Sequence, residues 1–435
     1  MKNNNRLKCI FIIKKIINNK FTLTNIYKIK NKENFIFIKN RCFNIIRNFV
    51  FIKYIIEFIK NNIKKNNILY YLICIIVYDM YYKNLKKYIL YSEIKKILKI
   101  IKINNVYKYI IKYLNILFKY KDKMLMINNN ILYYIKKNNF YKNNFIINKI
   151  IKNIKNNNKI KNILLPKKNK YLWIRINKGI IKNINKFYIF LEKKNIKFIK
   201  YKKFPYSIGI SNFYFNKKIL SYLYKNGIIS IQNISSQKCI CIIDPKINDT
   251  ILDMCSAPGN KSLHILETCP NIKKIVLVEK NKKKINLIKK NIKRLKIKKN
   301  NNIFFINKNS KNLDKKYYNT FDKILIDAPC TSTGNMYKKP DSIFKNKKTF
   351  DFLINEQYEL LKNSIKYLKK GGYIIYLTCS ILNEENKNQI KKIIKNNKNI
   401  ISILNEDKNT FGIKITQDNN LNIEGFFYSK IIKLY

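Results

Sequence analysis

The chain has 435 residues and carries 91 Lys and Arg against 24 Asp and Glu, a formal charge of +67. Hydrophobic residues make up 46%, enough to build real cores, so the Asn and Lys runs are not read as disorder. The basic excess suits a polyanionic partner, but Lys is spread along the whole chain, and drift toward A/T-rich codons accounts for most of it.

Residues 1–140 contain neither Gly nor Pro. Apolar residues recur there at helical spacing, as in Cys42-Phe43-Ile45-Ile46-Phe49-Val50 and Tyr54-Ile55-Phe58-Ile59. That pattern predicts a bundle of amphipathic helices. Residues 9–13 are too short for a signal-peptide core, and no small-residue cleavage site follows. The longest apolar run, 68–78, falls short of a membrane span, ends at Asp79 and reads as a buried helix. A soluble, cytoplasmic protein with no membrane partner is expected. The Asn- and Lys-rich stretch 151–170, with Pro166, reads as a linker.

From Tyr171 Gly and Pro appear, and short β-type runs alternate with helical ones. Strands are predicted at 171–176, 228–232, 250–254, 274–279, 303–306, 322–327 and 373–378. Helices are predicted at 260–268, 281–296, 350–370 and 383–396. Alternation from about 248 onward predicts right-handed βαβ units and a mostly parallel α/β sheet. Ligands bind such sheets at the carboxyl ends of the strands.

Only two alanines occur in the chain, Ala257 and Ala328, each directly before a proline. Both lie in stretches that escape the Ile, Lys and Asn background, and both stretches follow predicted strands. A small residue there lets loop backbone approach a ligand. In the first stretch, Cys255-Ser256-Ala257-Pro258-Gly259-Asn260-Lys261 leads from a strand into a helix, whose N-terminus offers N–H groups to an anionic group. Neither GxGxxG nor GxxxxGK[ST] is present, which argues against a dinucleotide site and a P-loop. Glu279, at the end of the next strand, is placed to accept from ribose hydroxyls. Asp327-Ala328-Pro329-Cys330 sets a carboxylate and a thiol beside the same edge, and Cys379 adds a second thiol at the tip of the following strand. A buried cysteine is usually an inert small hydrophobe. Two thiols converging on a nucleotide-type pocket are soft nucleophiles in waiting. The nine cysteines are scattered without a CxxC pair, so neither a disulfide framework nor a metal site is expected. The only histidine, His264, reads as a packing or surface residue of the helix after the loop.

These residues resemble the Sun-type RNA cytosine-5 methyltransferases, and most closely the bacterial enzymes that methylate 16S ribosomal RNA and carry a NusB-like helical domain in front. DMCSAPGNKS resembles DxCAAPGGKT, DAPCTSTG resembles DAPCSxTG, and TCSILNEEN resembles TCSxxPEEN. Trp173-Ile174-Arg175-Ile176-Asn177 is similar to WLRxN, residues 229–237 to VxVQDxSSQ, and 41–58 to a NusB-like helix. The resemblance implies a NusB-like domain over 1–140, a linker and small α+β subdomain over 141–235, and a Rossmann-like S-adenosylmethionine-dependent methyltransferase domain over 236–435. It implies that S-adenosylmethionine lies over Cys255–Lys261, with Glu279 on the ribose and Asn309 near the adenine. Asp327 would border the cofactor and would also hold the cytosine ring edge. Cys379 would attack C6 of a flipped-out cytosine, and Cys330 would help remove the C5 proton. In the DNA cytosine-5 enzymes the nucleophile is instead the Cys of a Pro-Cys pair, here Cys330, and that assignment stays open. The implied partner is small-subunit ribosomal RNA, bound by a monomer.

The chain departs from the family pattern at Asn260 for a second Gly, Asn309 for Asp, Glu279 for Asp and Asn383 for Pro. Asn260 is the mildest change, because Asn tolerates left-handed backbone better than most residues. A second reading is a weakened rRNA-binding assembly factor of the same fold. A third is a methyltransferase for a small molecule or a protein, which leaves the second thiol without a role.

Overall fold

The computed structural model describes residues 4–28, 34–58, 67–121, 144–165, 170–202, 204–211, 216–297, 302–404, 411–418 and 420–435. The chain divides into two compact units: Met1–Lys167 with Met336–Lys347, and Lys168–Asn335 with Lys348–Tyr435.

The first unit is helical, with helices at Asn5–Ile17, Phe35–Arg47, Phe49–Phe58, Ile68–Tyr82, Lys87–Ile100, Tyr107–Lys119, Phe145–Asn153 and Asn157–Leu164. Asn supplies many of the caps. Asn4, Asn67, Asn144 and Asn156 each accept a first-turn N–H, so the compositional drift toward Asn does local work here. The run 41–58 is two helices, parted at Asn48, whose side chain donates to the Asn44 carbonyl at 2.8 Å. Ile68–Tyr82 is the buried helix expected, with residues 69–80 all out of water. Its Asp79 is 1% exposed and accepts from Arg41 and, at 3.4 Å, from Arg6. The stretch read as a linker contains the helix Asn157–Leu164, because Ile160, Ile163 and Leu164 form a buried stripe behind the Asn156 cap. Pro166 lies outside the described residues. Arg47 donates to the Tyr337 carbonyl at 3.0 Å and Phe49 meets Phe344 edge-on, which fastens Met336–Lys347 into this unit.

The second unit holds two sheets. Strands β1 (Tyr171–Ile176), β2 (Phe198–Lys200), β3 (Ser207–Ser211) and β4 (Ile229–Ile231) form an antiparallel sheet in the order β2-β3-β1-β4. Helices Ile184–Lys193 and Lys217–Lys225 supply its core with Phe187, Tyr188, Leu191, Leu220 and Leu223. The larger sheet contains β5 (Thr250–Asp253), β6 (Lys274–Val278), β7 (Ile303–Ile306), β8 (Phe321–Asp327), β9 (Leu368–Thr378), β10 (Ile400–Ser402), β11 (Ile413–Ile415) and β12 (Phe426–Lys433). Its order is β10-β12-β9-β8-β5-β6-β7, with β11 beside β12. β7-β6-β5-β8-β9 run parallel, β12 follows antiparallel to β9, and β10 and β11 lie antiparallel beyond β12. This is the expected Rossmann-like, mostly parallel arrangement.

Because β5 is flanked by β6 on one side and β8 on the other, the strand order reverses beside it. The loops after β5 and β8 therefore diverge at a crevice on the carboxyl edge. β9 begins at Leu368, earlier than the predicted 373, because a bulge shifts the register between Phe321 and Lys323. Among the described residues no helix is long and apolar enough to cross a membrane.

Candidate active site

The loop after β5 is built around Asp253. Its buried carboxylate accepts from the Ser262 hydroxyl and, at 3.1 Å, from the Cys255 N–H. Burial pushes this carboxyl up to about 6 in spite of those bonds. Ser256 is tied to the neighbouring strand, donating from its N–H and its hydroxyl to the Val278 carbonyl at 3.2 and 3.1 Å. Ala257-Pro258 is a cis peptide. Gly259 sits at φ +100° and its carbonyl accepts from Leu263 N–H at 2.8 Å, opening the helix Asn260–Thr268. Gly259 alone needs the left-handed conformation in this turn. Asn260 is an ordinary first helical residue, so tolerance of left-handed backbone is not why Asn is accommodated there.

Lys261 reaches from that helix to the Asp327 carboxylate, with its side chain 10% exposed. Burial works against its charge, but Asp327 more than offsets this and holds the ammonium above its ordinary range. The loop after β5 and the end of β8 are thus joined by an ion pair. Cys255 lies half-buried in the loop, and burial pushes its thiol well up, so it stays protonated.

Glu279 follows β6 directly. Its carboxylate accepts from Asn281 N–H at 3.0 Å, and Lys284 stands 3.8 Å away. Asn307 donates to its carbonyl at 2.9 Å. Asn309, beyond β7, is exposed, and its side chain accepts from Lys311 N–H at 3.2 Å.

The two thiols meet. Cys330 Sγ and Cys379 Sγ are 3.3 Å apart, although β8 and β9 bring them from loops far apart in sequence. Cys330 is buried and Cys379 half-buried. Ser332 has φ +63°, an uncommon conformation for a serine, and its hydroxyl lies 3.4 Å from Cys379 Sγ. Gly334 donates to the Cys379 carbonyl at 2.9 Å and accepts from Gly425 N–H at 2.9 Å. A Cβ on Gly334 would stand 2.1 Å from the Gly425 carbonyl oxygen, a backbone atom that cannot turn away. Gly334→Ala is therefore expected to cost about 3 kcal/mol or more through overpacking. Thermal unfolding checks this, and a midpoint equal to the parent's contradicts the close approach.

The two alanines differ in role. Ala257 is half-buried in the loop. Ala328 is 4% exposed among Leu252, Met254, Ile326 and Tyr376, so packing inside the sheet explains its small size better than approach to a ligand. His264 is half-buried beside a cavity of about 140 Å³ that Arg175, Gln237 and Glu267 also line. Burial, then Arg175, holds its imidazole neutral.

The family model for the 16S rRNA methyltransferase RsmB/F matches residues 240–432, the stretch that carries β5 to β12 and both thiols. Residues 240–432 are thus similar to that methyltransferase family. Ribosomal RNA small subunit methyltransferase B of Shewanella oneidensis is 31% identical over 216 residues, covering 48% of this chain and 49% of that protein. Its namesake from Proteus mirabilis is 31% identical over 227 residues, covering 50% of each. The match thus spans about half the length of these relatives. Among solved structures, PH0851 superposes with a TM-score of 0.70 at 18% identity, covering 100% of both chains. A methyltransferase homolog protein from Pyrococcus horikoshii gives 0.53 at 22%, covering 66% of this chain and 98% of that one. These two likenesses show the fold.

Sequence reasoning does not single out two charged residues at this site. Arg175 is 2% exposed and donates to the Asn260 carbonyl at 3.0 Å, bracing the start of the loop helix. Glu385 is fully buried between the two thiol loops. Both lie in stretches that resemble family motifs, which was the available signal. Their partners lie too far away in sequence for spacing to show.

Proposed function

We propose that this protein methylates C5 of a cytosine in 16S ribosomal RNA, using S-adenosylmethionine. The observation that carries this reading is the contact of Cys330 and Cys379 at the sheet edge where the loop after β5 opens. Covalent C5 methylation uses one thiolate at C6 and a second group to take the C5 proton, and two thiols in contact can fill both parts.

The residues present fit the cofactor. Gly259 and Ala257 leave the loop backbone with little side chain, the helix Asn260–Thr268 presents its N-terminus, and the Glu279 carboxylate stands at the next strand end for ribose hydroxyls. When bound, S-adenosylmethionine supplies an electrophilic methyl group on a sulfonium. Cysteine and carboxylate do the rest. Cytosine C5 is a poor nucleophile until C6 carries a thiolate. Cys379 is assigned that addition, because it is half-buried and reachable where Cys330 is buried. Its electron pair forms the S–C6 bond and enriches C5. Asp327, held by Lys261, hydrogen-bonds the ring edge and favours the adduct. Cys330 assists removal of the C5 proton, and the electrons left behind expel the Cys379 thiolate. Extrusion of the base gives access, and the NusB-like reading of the helical unit gives it a part in positioning the RNA.

Mass spectrometry of 16S rRNA incubated with the protein and S-adenosylmethionine is expected to find new 5-methylcytosine. RNA binding without methylation would instead favour the assembly-factor reading.

A further inference from the structure

We propose that Glu385 is a positioning residue that sets the distance between the two thiols. Its consequence for turnover rests on the methyl-transfer reading above; its geometry does not.

Four neutral donors converge on this one carboxylate, which is 0% exposed. Thr331 donates from its N–H at 2.7 Å and its hydroxyl at 2.5 Å. Ser380 donates from its hydroxyl, and Gln357 from its amide at 3.1 Å. Thr331 follows Cys330 and Ser380 follows Cys379, so one side chain grips the residue after each thiol. The grip is itself braced. Tyr376 donates its hydroxyl to the Glu385 carbonyl at 2.7 Å, and Gln357 also donates to the Pro329 carbonyl at 2.9 Å. Next in sequence, Asn386 accepts from the Thr378 hydroxyl at 2.6 Å and donates to the Ser380 carbonyl at 3.0 Å. Both residues flanking Cys379 are therefore held by the Glu385-Asn386 pair, and both residues flanking Cys330 by Glu385 and Gln357.

Burying a carboxylate among neutral donors is an expensive way to join two loops. An apolar residue of the same volume would fold at less cost. What a carboxylate adds is direction, because two oxygens with several lone pairs accept from two loops at once. A displacement of about 1 Å between reacting groups can cost about 100-fold in rate, which gives such direction its value.

The test uses the full chain and reads the thiols directly. Diamide joins neighbouring thiols: both hydrogens pass to its N=N bond, giving a hydrazine and a disulfide, and peptide mapping locates the Cys330–Cys379 bridge. Glu385→Ala is expected to slow that bridge at least about tenfold and lower kcat about 100-fold, with KM for S-adenosylmethionine within about twofold of the parent. Glu385→Gln keeps the shape but only one acceptor oxygen, and is expected to fall between the parent and Glu385→Ala, with the bridge slowed about threefold. Bridge formation at the parental rate in folded Glu385→Ala overturns the proposal. Where Glu385→Ala does not fold, Glu385→Gln decides: a bridge slowed about threefold upholds the proposal and a parental rate overturns it. A parent chain that makes no 5-methylcytosine would sink the methyl-transfer reading, while the bridge would still report on Glu385.

Discussion

Cys379→Ala is expected to abolish 5-methylcytosine formation, whereas Cys330→Ala is expected to leave the protein covalently attached to its RNA. The asymmetry follows from the division of labour proposed above for the thiols. Without the Cys379 sulfur no bond to C6 forms, C5 stays unreactive, and no adduct accumulates. Without the Cys330 sulfur addition and methylation proceed, but removal of the C5 proton slows and the Cys379 thiolate cannot leave. Denaturing gel electrophoresis of protein with labelled rRNA reads both results at once. The 3.3 Å contact makes the pair easy to confuse by geometry alone, so the decisive result is which variant traps. An adduct formed through Cys330 in the Cys379→Ala protein would reverse the assignment and make this chain follow the Pro-Cys pattern of the DNA enzymes.

Arg175→Met carries the largest expected loss of stability, about 3–5 kcal/mol, because it strands a buried carboxylate. Arg175 meets Glu267 through two parallel bonds, Nε to Oε2 at 2.9 Å and Nη2 to Oε1 at 2.8 Å. Nη1 also donates to the Asn260 carbonyl at 3.0 Å and to Gln232. One guanidinium thus joins β1, the residue after β4 and both ends of the loop helix. Urea unfolding measures the loss. The double variant Arg175→Met/Glu267→Met is expected to recover part of it, since it removes both charges rather than one. Arg175→Lys is not a rescue, because an ammonium cannot reproduce the fork. A single variant as stable as the parent would show that this pair contributes nothing to the unit's stability.

The parallel strands β5 to β9 were legible because each is a short apolar run followed by a helical pattern. The strands that were missed had lost their period. β12 is inside the sheet and buried on both faces along most of its length, so alternation is absent. β3 is interrupted by Gly209, which the sequence presents as a breaker. In the fold it is small because Ile199 crowds the site, where a Cβ would come within 2.9 Å. At the site, the thiols, Asp327 and the loop after β5 could be read because their chemistry is local to short stretches. Glu385, Ser332 and Arg175 could not, since each acts through a partner on another loop or strand. The drift toward Asn, which looked like noise, turns out to cap helices at Asn4, Asn67, Asn144, Asn156, Asn183, Asn216 and Asn281.

Met336–Lys347 gives the gene a property that its order of motifs conceals. This segment sits inside the stretch of family likeness, directly after the DAPC loop, yet it is counted with the helical unit, where Pro340, Ile343 and Phe344 are buried. No single cut in the chain separates the two units. A mutation between 336 and 347 is inherited with the methyltransferase motifs, but its cost falls on the helical core. Substitutions there should therefore be tolerated or rejected together with changes at Arg47 and Phe49 rather than with changes at the thiols.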